Sequence, residues 1–187
     1  LIASLVLAGG RAMRLGGVDK PLLRLGDATI IDHVLLCLPS GPTAISANGD
    51  PARYAHLGLP VLADQVAGRG PLGGVLRGLG WAAGLGAEML LTVPGDTPFL
   101  PPDLAARLSP GPSWAESPTG LHPLVALWPV ACAPDLAAWL AAQPSGRVRA
   151  FGERIGMRGV WFGEGGDPFL NVNTPEELER ARKDVLF

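Results

Sequence analysis

A single α/β domain, Rossmann-like, with a mostly parallel twisted sheet flanked by helices and a small antiparallel excursion in its second half, is the fold this sequence predicts. Three observations predict it. Short apolar runs recur along the chain and alternate with segments of helical periodicity, the pattern of right-handed βαβ crossovers. The first run, Leu5-Val6-Leu7, opens directly into a glycine-rich loop, Ala8-Gly9-Gly10. Later runs end in Asn48, Asp64 and Asp96, so polar groups gather at strand carboxyl ends, where open sheets of this kind form their ligand crevice.

The bulk properties agree with one folded unit. At 187 residues and 48% hydrophobic, the chain is long enough for one substantial core, a single domain over residues 1–187. Its 26 Gly and 19 Pro punctuate apolar runs throughout and do not collect in a low-complexity tail, so the protein is turn-rich rather than disordered. A net charge of -2 and a pI near 5.9 argue against general nucleic-acid binding and point to a small ligand. Cys37 and Cys132 lack Cys-x-x-Cys spacing and sit among apolar residues, as buried thiols in a reducing compartment do. The apolar stretch ahead of Gly9 is too short to cross a bilayer and has no basic leader or cleavage site, so a cytoplasmic location is expected.

Taken in order, Leu5 to Leu7 suit a strand buried on both faces, and the glycines after it let the backbone turn sharply and approach a ligand. Between Arg11 and Arg24 stand Arg11, Arg14, Lys20 and Arg24 against the single acid Asp19, which favours an anionic ligand. The loop is neither a Walker loop, since Lys20 is flanked by Asp19 and Pro21, nor a dinucleotide fingerprint, since Gly9-Gly10-Arg11-Ala12 breaks that spacing. Ile30, Ile31, Val34, Leu35 and Leu38 share one face of a helix ended by Pro39, with His33 an ordinary histidine beside it. Thr43 to Asn48 is a strand closing in an Asn-Gly-Asp turn, Pro51 to Leu57 a short helix, and Leu59 to Ala63 a third strand followed by Asp64. A second glycine loop, Gly68 to Gly74, leads into a helix over Val75 to Ala83, where close packing is the expected reason for Gly78 and Gly80. Met89 to Val93 is a buried strand running into Pro94-Gly95-Asp96-Thr97-Pro98.

Pro101 to Leu108 is a helix with proline near its first turn. Ser113 to Ala115 and Leu124 to Trp128 are strands joined by a loop carrying His122-Pro123, an antiparallel excursion at the sheet edge. His122 reads as loop packing or as a substrate-facing group. Asp135 to Ala142 is a helix with Leu136, Trp139 and Leu140 on its core side, and Arg147, Arg149 and Arg154 surround a short helix as a solvated face or an anion contact. Gly159 to Phe162 is the last strand, and Thr174-Pro-Glu-Glu177 has the form of a capping box ahead of a terminal helix, leaving Asn171 and Asn173 without a structural reason.

Leu7-Ala-Gly-Gly10, Arg14-Leu-Gly-Gly17, Asp19-Lys20, Gly70-Pro-Leu-Gly73, Val93-Pro-Gly-Asp-Thr-Pro-Phe99, His122-Pro123 and Asn171-Val-Asn-Thr-Pro-Glu-Glu-Leu178 together resemble the molybdenum cofactor guanylyltransferases across nearly the whole chain. The resemblance implies transfer of GMP from GTP to the phosphate of molybdenum-bearing molybdopterin, with release of pyrophosphate. It places GTP on Leu7, Ala8, Gly9, Gly10, Gly70 and Lys20, with Arg14 assisting the leaving pyrophosphate. Asn48 and Asp64 match nucleoside-side positions, Asp96 the carboxylate that holds magnesium, and Asn171 and Asn173 the pterin side. Residues 1–100 would then form the GTP-binding half and 101–187 the molybdopterin-binding half. Implied partners are GTP, molybdenum-molybdopterin and other proteins of molybdenum cofactor biosynthesis, with no nucleic acid and no membrane.

One position departs from the pattern. Members of this family usually carry cysteine where this chain has Gly95, and the cytidylyl relatives resemble it there; those relatives in turn show Ala-Ala-Gly where this chain has Ala8-Gly9-Gly10. The second glycine leaves room for a purine, which favours GTP. The competing readings are a nucleotidyltransferase acting with CTP or on a sugar phosphate, and a non-catalytic nucleotide-binding module.

Overall fold

The computed structural model of the chain describes residues 1–9, 14–15, 18–64, 70–142, 147–164, 166–171 and 177. In chain order, β1 (Ile2–Leu7) is followed by two small ladders, β2 (Arg14–Leu15) with β3 (Val18–Asp19) and β4 (Arg24–Leu25) with β5 (Ala28–Thr29). Then come α1 (Ile30–Leu36), β6 (Thr43–Ser46), β7 (Val61–Leu62), α2 (Pro71–Gly84), β8 (Met89–Pro94) and α3 (Leu104–Leu108). The second half supplies β9 (Ser113–Ser117), β10 (Gly120–Pro129), α4 (Ala133–Ala142), α5 (Val148–Arg154) and β11 (Arg158–Trp161). The main sheet has seven strands in the order β11-β9-β10-β8-β1-β6-β7. Strands β7, β6, β1 and β8 are parallel, which brings four carboxyl ends to one rim.

Alternation along each strand divides the core between two faces. Leu5, Leu7 and Leu90 face α2, α4 and α5 with Leu79, Trp128, Leu136 and Phe151, while Val6, Leu91 and Val93 face α1 and α3 with Ile31, Val34, Leu104 and Phe162. Trp128 is fully buried, and its indole N–H donates to Thr92 Oγ1 at 2.8 Å; that hydroxyl in turn donates to the Leu124 carbonyl at 2.8 Å, so the polar atoms inside the sheet are satisfied.

Several elements differ from expectation for identifiable reasons. The first helix starts at Ile30 behind a capping box of Thr29 with Asp32, but ends at Leu36, short of Leu38. Helix α2 begins at Pro71, earlier than Val75, since proline suits a first turn and Gly70 ahead of it adopts a φ of 59°. Gly78 is explained by close packing: a Cβ there would lie 2.5 Å from Leu5 Cδ2 and 3.0 Å from Leu90 Cδ2. Gly80 is not, for nothing lies within 4 Å of its Cβ position. The segment Pro51–Leu57 is a 3₁₀ helix.

The antiparallel excursion also sits differently. It lies inside the sheet, with β10 against β8 and β9 against β10, and β11 forms the edge, parallel to β9. His122-Pro123 belongs to β10 and not to a loop, and the register with β9 shifts between His122 and Ala126. Pro123 has no N–H to give the ladder, so an irregularity there is the expected accommodation.

Both cysteines are free, and burial pushes the Cys132 thiol up to about 11, as expected of an inert core thiol. Among the described residues no helix is long and apolar enough to cross a membrane. Gly10, Asn173 and Thr174 to Glu176 of the capping box lie outside the described residues.

Candidate active site

The rim of parallel strand ends encloses a crevice of about 210 Å³ lined by Leu7, Gly9, Asn48, Asp64, Gly70, Asp96 and Asn171, together with Ser46, Pro71, Gly74, Pro94 and Leu124. Strand β1 delivers Leu7, and the chain beyond it stays registered to both neighbours: Ala8 N–H donates to the Ser46 carbonyl at 2.8 Å and Gly95 N–H to the Leu7 carbonyl at 3.0 Å. Gly9 follows, exposed at the crevice wall. A Cβ on Gly9 would touch Ala47, Asn48 and Ser46 at an ordinary 3.6 Å, so protein packing does not require glycine there.

Asn48 and Asp64 follow the adjacent strands β6 and β7 and grip each other. Asn48 Nδ2 donates to Asp64 Oδ2 at 2.9 Å, and Asp64 N–H donates to Asn48 Oδ1 at 2.9 Å. This reciprocal pair fixes the amide orientation and leaves the second carboxylate oxygen of Asp64 to accept from a ligand. Gly70 and Pro71 bring the start of the 14-residue helix α2 to the same wall, so the positive end of its dipole favours an anion there. Helix and strand come this close because position 74 is glycine: a Cβ would lie 2.5 Å from Ser46 Oγ.

Across the crevice, Asp96 follows β8. Burial pushes its carboxyl above the ordinary carboxylate value, and Lys20 together with a backbone hydrogen bond offsets only part of that. Lys20 itself is 7% exposed, in the 3₁₀ turn Lys20–Leu22. Among the described residues no group of three or more His, Cys, Asp or Glu side chains could enclose a metal ion. A lone, partly desolvated carboxylate is nevertheless the donor that suits magnesium at a nucleotide site, where substrate phosphates complete the shell. Asp96 fits that ion.

The next residue ties the second half of the chain to the first. Thr97 is 1% exposed, and its hydroxyl donates to Asn171 Oδ1 at 2.9 Å, which turns the Asn171 amide so that its Nδ2 is left to donate to a ligand. A profile of the MobA-like NTP transferase domain matches residues 4–155. Over 183 residues the chain is 50% identical to the molybdenum cofactor guanylyltransferase of Acidiphilium cryptum (strain JF-5), covering 96% of this chain and 93% of that protein. The chain belongs to the molybdenum cofactor guanylyltransferase family.

It is likewise 50% identical to the family member of Cereibacter sphaeroides (strain ATCC 17029 / ATH 2.4.9), with 97% of each chain covered. The fold is that of molybdopterin-guanine dinucleotide biosynthesis protein A from Archaeoglobus fulgidus, at a TM-score of 0.71 and 21% identity over 100% of this chain and 99% of that one. The α/β sheet is also shared with 4-diphosphocytidyl-2C-methyl-D-erythritol synthase, at a TM-score of 0.69 and 16% identity over 98% and 99% of the two chains.

In this family member the crevice unites Leu7, Gly9, Asn48, Asp64, Gly70, Asp96 and Asn171, and Lys20 lies beside Asp96. Ala8 is buried behind the loop and contributes through its backbone register. Arg14 stands opposite Asp19 in the β2–β3 ladder. His122 is not in the crevice wall; its Nε2 lies 2.7 Å from Ser117 Oγ and its ring 4.7 Å from that of Phe169. Arg149 pairs with Glu153 at 2.7 Å on an exposed helix face, and the Arg154 guanidinium lies over the Trp139 ring at 5.9 Å, while Arg147 precedes α5 and is exposed. Thr97, Ser46 and Gly74 carry site geometry that sequence reasoning did not assign.

A larger cleft of about 540 Å³, lined by Phe99, Arg107, Phe162, Glu164, Asp167 and Leu170 among others, contains none of the predicted site residues. Among the described residues its one cation is already engaged, with Arg107 donating to the Trp161 carbonyl at 2.6 Å and to Glu164 at 3.1 Å over the Phe162 ring. The smaller crevice is the one that gathers the predicted site residues.

Proposed function

We propose that this crevice transfers GMP from GTP to the terminal phosphate of molybdenum-molybdopterin and releases pyrophosphate. The observation that carries the reading is the meeting of Gly9, Asp96 and Asn171, from the start, middle and end of the chain, in one wall. A phosphate oxygen of molybdopterin attacks the α-phosphorus of GTP, the new P–O bond forms, and the bond to the β-phosphate breaks with its electron pair leaving on pyrophosphate. No protein nucleophile is needed. The protein's task is positioning and stabilisation of charge on the phosphoryl oxygens.

On this reading Leu7, Ala8, Gly9, Gly10 and Gly70 offer backbone to the triphosphate, and Lys20 neutralises it. Arg14 assists the departing pyrophosphate. Asn48 and Asp64 hold the nucleoside, and Asn171 and Asn173 hold the pterin side, so that residues 1–100 act on GTP and 101–187 on molybdopterin. Magnesium held by Asp96 would bring positive charge to the phosphate oxygens. Free thiols at Cys37 and Cys132 accord with a cytoplasmic enzyme, working with other proteins of molybdenum cofactor biosynthesis.

Guanine is favoured over cytosine because Gly9 presents no side chain toward the crevice. Gly95 does not oppose this. A Cβ there would face Pro21 Cγ at 3.1 Å and Val6 Cγ1 at 3.3 Å, so a side chain at this position would pack against the protein, and Gly95 is not among the residues lining the crevice. Magnesium with GTP is expected to raise the thermal midpoint more than magnesium with CTP at equal concentration, since a ligand at 100 times its Kd stabilises by about 2.7 kcal/mol. Equal or reversed shifts contradict the guanylyl assignment.

A further inference from the structure

The basic glycine-rich segment contains one acid, Asp19, directly before the Lys20 assigned to phosphate. Its side chain is 10% exposed and pairs with Arg53 Nη1. The same guanidinium donates from Nη2 to the Asn48 carbonyl at 2.6 Å and from Nε to the Asp50 carbonyl at 3.0 Å. Three nitrogens thus reach three places: the phosphate-side loop, the nucleoside-side turn and the start of Arg53's own helix.

The direction of the guanidinium is set by what surrounds it. Asp50 caps the 3₁₀ helix Pro51–Leu57 by accepting from Ala52 N–H at 2.9 Å, and Gly58 ends it at a φ of 64°. The adjacent Tyr54 is fully buried among Ile31, Val34 and Ile45, which anchors the helix to the sheet face. Gly49 leaves the passage open, because a Cβ there would lie 3.1 Å from Arg53 Nη2.

We propose that Arg53 is a positioning residue that locks Asp19-Lys20 to Asn48, so that the triphosphate and nucleoside contacts are held at one fixed separation. The proposal rests on the assignment of Lys20 and Asn48 to GTP given above. Charge makes the lock specific. Paired with Arg53, the Asp19 carboxylate is satisfied by a cation from outside the loop. Without Arg53, a partly buried negative charge stands next to Lys20 and lowers the positive potential that phosphate requires. An arginine suits the task because its planar fork reaches carboxylate and carbonyl together, which an ammonium does not.

The test is a double-mutant cycle read by calorimetric binding of magnesium with GTP, with CTP in a parallel arm and thermal midpoints recorded. Arg53→Ala is expected to weaken binding about tenfold or more. Adding Asp19→Asn to Arg53→Ala is expected to restore part of that affinity, a gain that a merely structural role does not give. Arg53→Lys, which keeps the charge but not the span, is expected to retain inorganic pyrophosphate binding and still lose GTP affinity. If Arg53→Ala does not fold, this last comparison alone decides. Wild-type affinity in Arg53→Ala, further loss on adding Asp19→Asn, or equal losses of pyrophosphate and GTP in Arg53→Lys overturns the proposal. The cycle is read on whichever nucleotide wild type binds more tightly, so a failure of guanine preference leaves it standing.

Discussion

Gly9 has a φ outside the left-handed region and ordinary contact distances around its Cβ position, so neither backbone strain nor protein packing asks for glycine. On the proposed function the demand comes from the crevice side. Gly9→Ala is expected to change stability by less than about 0.5 kcal/mol while weakening GTP binding about tenfold, or ~1.4 kcal/mol; wild-type affinity in calorimetry contradicts close approach of the nucleotide at this position. Placement at the crevice was legible where a polar side chain closely follows an apolar run, as at Asn48, Asp64 and Asp96. Thr97 and Arg53 were not legible, because their partners lie 74 and 34 residues away and no local pattern announces such bonds.

Among the elements, α2 does most to shape the site, and its glycines separate two physical roles. Gly78 lets the helix lie on β1 and β8, and a methyl group there meets Leu5 and Leu90. Gly78→Ala is expected to destabilise by about 1–3 kcal/mol through overpacking. Gly80→Ala, on an exposed helix face with open space, is expected to stabilise by roughly 0.4–1 kcal/mol. Chemical denaturation of both variants checks the pair, and equal effects contradict the packing model. Apolar runs and glycine turns made the parallel strands and most helices readable. They could not show that β10 passes inside the sheet beside β8, since that placement depends on long-range pairing, nor that Pro123 sits within a strand, since proline ordinarily marks a turn.

At the scale of the whole molecule, the second half returns to the crevice by a segment tied down at Asp167, whose carboxylate accepts from the Phe169 N–H at 2.9 Å and from Thr119 Oγ1. Burial pushes the Asp167 carboxyl up, but hydrogen bonds from Thr119, Phe169 and Ser117, with the charge of His122, bring it below its ordinary value of 3.8. Burial pushes the His122 imidazole below its ordinary 6.5, against the opposing pull of Asp167. Both groups bind fewer protons folded than unfolded, so the stability they contribute is present above those ordinary values and lost as pH falls. The loss begins below about 6.5 for His122 and continues below 3.8 for Asp167. His122→Gln is expected to flatten the dependence between pH 7 and 5 in urea unfolding, and an unchanged slope contradicts this assignment.

Joining the halves has one purpose on this account, to bring GTP and molybdenum-molybdopterin to a common phosphorus. The direct measurement is pyrophosphate release with magnesium, molybdenum-molybdopterin and either GTP or CTP, using wild type and Asp96→Asn. Release is expected to need both substrates, to be faster with GTP, and to vanish in Asp96→Asn while the variant stays folded. Release that proceeds without molybdopterin, runs as fast with CTP, or survives in Asp96→Asn contradicts it.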